Sequence, residues 1–91
     1  MSAELAELIH ARLLAALLPT QLAVRDDSHL HAGHAGAREG GHYHVVIATE
    51  AFRGLAPLAR HRCVYAALGD LLPGRIHALS IEALLPENRT P

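Results

Sequence analysis

Histidine is the residue with the most chemistry to offer in this chain. Eight are present among 91 residues, and five of them crowd into one stretch: His29, His31 and His34 in DSHLHAGHAGAREGG (27–41), then His42 and His44 in the HYHVV that follows. Neutral imidazole is a borderline ligand for zinc, iron or copper, and several on one flexible segment can close around a metal from different directions. A self-sufficient structural zinc site would pair them with cysteines, and Cys63, the single cysteine, lies elsewhere. His77, in IHAL, stands apart. It follows the first residue of a predicted strand, where the backbone fixes a side chain's direction better than a loop can. The plainer readings are that the loop histidines are solvated or cap Asp26 and Asp27, and that His77 is a half-buried edge residue with one ring nitrogen hydrogen-bonded.

A second group is basic. Arg53, Arg60, His61 and Arg62 cluster around the start of a predicted helix, where they suit phosphate at the first helical turns or carboxylates of a protein partner. The simpler alternative is a solvated face that pairs with acids of the same chain. Gly33-His34-Ala35-Gly36 has the GxxG spacing of a nucleic-acid clamp, but it falls between two strands rather than between two helices. Cys63, mid-helix, reads as a small buried hydrophobe. No nucleophile beside a base, no phosphate-cradling glycine loop and no paired carboxylates in apolar surroundings occur, so the expectation is a protein that is not an enzyme.

The elements that must position these groups follow from periodicity. Hydrophobic residues make up 51% of the chain and charged ones 19%, which suits one folded core and excludes a disordered chain, while the length excludes a multidomain enzyme. Leu5, Leu8, Ile9, Leu13, Ala16 and Leu17 recur at helical spacing, predicting an amphipathic helix over 3–18 that Pro19 ends. Leu22, Ala23 and Val24 form a brief apolar run before Asp26 and Asp27 that predicts a strand of four or five residues. After the long glycine-rich loop, 42–50 alternates as a central strand. Pro57 opens a second helix running to about Leu72, with Leu58, Val64, Tyr65, Leu68, Leu71 and Leu72 as its apolar stripe. Ile76 to Leu85 is a third strand, with His77, Leu79, Ile81 and Ala83 on one face and Ile76, Ala78, Ser80 and Glu82 on the other. Residues 86–91 read as a loose polar tail.

The order α-β-β-α-β predicts an α+β fold: a three-stranded mixed sheet with both helices on one face, forming a single domain over 1–91, the third strand parallel to its neighbour. A formal charge of −1 argues against a broad electrostatic footprint for nucleic acid or an anionic membrane, although eight imidazoles make that balance sensitive to mild acid. No apolar run approaches the roughly 20 residues of a membrane span. Acidic residues where a signal peptide would be basic, and one cysteine, predict a cytoplasmic location without a membrane partner.

The segments DDSHLHAGHAGA (26–37), HYHVVIATEAFRGLAPLARHRCVYAAL (42–68) and IHALSIEALLPE (76–87) together resemble the BolA family over nearly the whole chain. DDSHxHAGH, FxGxxxxxRHRxVY and IHAL in that order are specific as a set. The resemblance implies a class II KH-like fold and a non-catalytic partner of monothiol glutaredoxins. Such a pair would share a bridging [2Fe-2S] cluster, with the glutaredoxin cysteine and glutathione on one side, or associate without it. This chain would then be a monomer alone or a weak homodimer, without tight cluster binding by itself. His77 matches the family's last-strand ligand, and His34 the loop ligand of the histidine-type branch, with His29, His31 and His42 as neighbouring candidates. The family also implies an alternative, a DNA-binding transcriptional regulator, for which Arg53, Arg60, His61 and Arg62 are the available surface.

Overall fold

Leu5, Ile9 and Leu13 recur every fourth residue, and burying that stripe defines the helix α1 (Ser2–Leu17) in a computed structural model that describes residues 2–27, 41–72 and 74–88. Beyond it Leu18 takes a left-handed φ of 48° and Pro19 prevents continuation. Strand β1 (Gln21–Asp26) is slightly longer than expected. It is drawn out by antiparallel pairing with β2 (Gly41–Ala48), from Gln21 opposite Ala48 to Asp26 opposite Tyr43. As expected, β2 is central, flanked by β1 and by a parallel β3 (Ile76–Leu84).

Thr49 and Glu50, expected in the strand, leave it. Thr49 caps the 3-10 turn Glu50–Phe52: its hydroxyl accepts the Ala51 N–H at 3.1 Å and donates to the Leu17 carbonyl at 2.6 Å. A side chain only 1% exposed is thereby satisfied, and the end of α1 is tied to the end of β2.

Helix α2 (Pro57–Leu68) begins at the anticipated proline but stops short of Leu72, because Gly69 adopts a φ of 45° and a 3-10 turn, Gly69–Leu71, follows. The apolar stripe also needs correction. Val64, Leu68 and Leu71 are buried, whereas Leu58 is 63% and Tyr65 44% exposed. At about 3.6 residues per turn those two lie roughly a third of a turn from Val64, outside the buried face. On α1, Arg12 bonds the Leu68 carbonyl at 3.1 Å and Asp70 at 2.7 Å, fastening the two helices and holding the Asp70 carboxyl below its ordinary range.

One cluster joins Leu5, Ile9 and Leu13 of α1, Tyr43, Val45 and Ile47 of β2, Phe52, Val64 and Leu68, so the helices cover one face of the sheet. On the other face Ala23, Arg25, Ser80 and Glu82 are exposed and His44 and Val46 half-buried. The expected loose tail begins differently: Pro86–Asn88 forms a 3-10 turn, and Glu87 is held by Arg53; the last three residues lie outside those described. Among the described residues no helix is long and apolar enough to cross a membrane.

Candidate metal centre

The topology decides where the histidine-bearing segment is rooted. It departs after Asp27, whose N–H donates to the His42 carbonyl at 2.7 Å, and returns at Gly41, whose N–H donates to the Arg75 carbonyl at 3.2 Å. Both roots therefore sit at one end of the sheet, beside the start of β3. His29, His31, His34 and the GxxG spacing at 33–36 lie outside the described residues.

At that end the β2–β3 register slips. Gly41 stands opposite Ile76, but His42 stands opposite Ala78, so β3 takes two steps where β2 takes one, and His77 is the extra residue of a β-bulge. The strict alternation expected for this strand fails here. Ile76 is fully buried in the core, and Leu79, Ile81 and Ala83, beyond the bulge, also pack against it, so Ile76 does not share the face of Ala78. For His77 the backbone is described and the side chain is not. His42 is half-buried near the start of β2, and His44 lies between Arg25 and Ser80 in the register. No group of three or more His, Cys, Asp or Glu able to hold a metal occurs among the described residues. The described side chains thus provide no complete set of donors.

A packing feature that residue types alone do not reveal lies beside the bulge. Tyr43 is 3% exposed, and its ring lies so close to Gly41 that a Cβ there would overlap Cε2, Cζ and Oη. Burial, and next the negative charge of Asp26, push the Tyr43 phenol above its usual range, against an opposing effect of Arg75. The available signal was a glycine two residues before an aromatic at a strand start, a pattern too common to single out without the fold.

The basic group does not form one free patch. Arg53 is clamped by two carboxylates, reaching Glu50 at 2.6 and 2.9 Å and Glu87 at 2.8 and 2.9 Å. Arg60 donates to the Leu55 carbonyl at 2.9 Å and the Ala83 carbonyl at 3.3 Å, bracing α2 against β3. Arg62 is exposed and His61 half-buried on α2. Cys63 is half-buried and packs against the core, in keeping with a hydrophobic role.

Proteins of known family share both the sequence and this geometry. The family model described as BolA-like protein matches residues 13–88. BolA-like protein 1 of Mus musculus is 42% identical over 78 residues, covering 86% of this chain and 56% of the relative, so the chain spans little more than half the length of that protein. Among solved structures, BolA1 from Arabidopsis thaliana superposes with a TM-score of 0.80 at 36% identity, covering 93% of this chain and 95% of the other. The BolA domain of SufE1 from Arabidopsis thaliana gives 0.81 at 39% identity, covering 92% and 94%. That second likeness is to one domain within a larger protein. The α+β architecture, the parallel third strand and the matched span lead to one conclusion: this chain belongs to the BolA-like protein family.

Proposed function

We propose that the protein is a non-catalytic adaptor that pairs with a monothiol glutaredoxin and co-ligates a bridging [2Fe-2S] cluster through His34 and His77. The observation that carries this reading is the bulge that singles out His77 at the sheet end where both roots of the histidine-bearing segment are anchored. Imidazole nitrogen suits iron, and thiolates from elsewhere would complete the half-site that His34 and His77 provide. Bound there, the cluster would supply redox or transfer chemistry. Imidazole ligands raise the potential of such a centre and make its retention proton-sensitive, because each must lose its second proton to coordinate.

The chain's own part is to present two nitrogens, one from a strand and one from a loop, and to leave the remaining positions to the partner and glutathione. The test is to mix the purified protein with a monothiol glutaredoxin, glutathione, iron and sulfide and record the visible spectrum. A mixed complex with thiolate-to-iron absorption distinct from that of glutaredoxin alone is expected, altered by His77→Ala. An unchanged spectrum and cluster stability in that variant would remove His77 from the ligand set. Single substitutions of His29, His31, His34 and His42 then identify the loop ligand.

A further inference from the structure

The bulge at His77 needs a cause, since an uninterrupted β3 would pair residue for residue with β2. Three observations converge on Gly41. Its N–H is bonded to the Arg75 carbonyl and it stands opposite Ile76, so it fixes the last regular step before His77. The space where its Cβ would be is filled by the Tyr43 ring. That ring is buried, and Ile76, directly across the pair, is fully buried as well. A side chain at position 41 would have to expel the ring or move the strand off Ile76.

We infer that Gly41 and Tyr43 are positioning residues for His77, the ring packed on the bare glycine holding Gly41 to Ile76 and so keeping His77 as the extra residue of the bulge. Without the lock, the pairs on either side of the bulge can slide by one residue. A one-residue slip exchanges the faces of every side chain it affects. The role of His77 as a ligand rests on the function proposed above; the lock on the register does not.

Three variants test it: Gly41→Ala, Tyr43→Val, and the two together. In Gly41→Ala the new methyl overlaps the ring; in Tyr43→Val a void opens over the glycine; in the double variant the methyl fills part of the void. Each single variant is expected to lose the cross-strand NMR contacts between residues 41 and 76 and between 42 and 78. Each should also shorten the half-life of the mixed cluster on the order of tenfold, the scale typical of residues that orient a ligand. The double variant is expected to regain both the contacts and most of the half-life.

A merely structural role makes the opposite prediction, because the double variant loses the aromatic ring without regaining its burial. Cluster lifetime would then follow melting temperature across the series. That outcome, or retention of both contacts in the single variants, overturns the inference. Should Gly41→Ala fail to fold, the comparison of Tyr43→Val with the double variant still separates the two roles. An indifferent His77→Ala would instead remove the proposed ligation and leave the NMR result on the register standing.

Discussion

Two arginines separated by one residue behave as different kinds of residue. Arg60 reaches two backbone carbonyls, one in the segment before α2 and one in β3, and Arg62 is exposed on the same helix. Replacing Arg60 by Gln should therefore lower stability by about 1–2 kcal/mol, the scale of losing hydrogen bonds to a charged group, whereas Arg62→Gln should change it by less than about 0.5 kcal/mol. Urea unfolding of the two variants checks the contrast, and equal effects would contradict the assignment. Thr49 is a further residue whose role depends on its partners. Thr49→Val keeps shape but removes the donor to Leu17 and the cap on Ala51, and should cost about 1–2 kcal/mol in the same assay. None of this was visible in residue types. RHR reads as a basic cluster in any sequence, and only the strand brought beside α2 shows that its first arginine is an internal brace.

At the scale of elements, the long-period signals were legible and the terminations were not. The stripe of α1 and the β-branched run of β2 place those elements closely. By contrast α2 ends at Gly69 because its backbone turns left-handed there, not at the more conspicuous Pro73-Gly74. The alternation in β3 breaks at the register shift between its pairing with Gly41 and with His42, a cross-strand feature that the β3 sequence does not announce. The end of α1 offers a prediction: Leu18 is 78% exposed and sits at φ 48°, a conformation that penalises a side chain by about 1 kcal/mol and suits glycine. Leu18→Gly should thus raise the melting temperature despite adding a flexible residue. A lower value would mean that Leu18 contributes packing the exposed position does not suggest. The Pro86–Asn88 turn depends on acid groups. Arg53 holds Glu87 down at about 2 from the ordinary 4.5, and lowers Glu50 as well. Carboxyls with depressed folded values stabilise fully above their unfolded values, and that contribution disappears as pH falls from about 4.5 toward 2. Glu87→Gln should therefore flatten the acid limb of the stability profile in that window, and at neutral pH loosen the last turn against Arg53.

At the scale of the whole molecule, charge gives the two functional readings opposed predictions. Net charge is −1, and most described arginines already have partners: Arg12 with Asp70, Arg25 with Asp27, Arg53 with Glu50 and Glu87, Arg60 with carbonyls. Among the described residues, Arg62 and Arg75 are the arginines whose side chains have no hydrogen-bonded or ion-paired partner. Each phosphate neutralised releases condensed counterions, so log affinity for duplex DNA should fall against log salt with a slope of about −0.9 per contact. The two available arginines among the described residues contribute a slope near −2 and weak binding, about 10⁻⁴ M or poorer at physiological salt. The measurement is fluorescence anisotropy with a labelled duplex between about 50 and 200 mM salt at neutral pH. A steep slope, on the order of −5 or beyond, would require cations that the described surface does not offer, and would favour the DNA-binding alternative over the adaptor. In the adaptor reading the same salt range should leave the spectrum of the mixed cluster nearly unchanged, since coordination by imidazole and thiolate releases no condensed counterions. Running both titrations on one preparation opposes the readings directly, and a shallow DNA slope beside a salt-indifferent cluster spectrum is the pattern that this charge distribution favours.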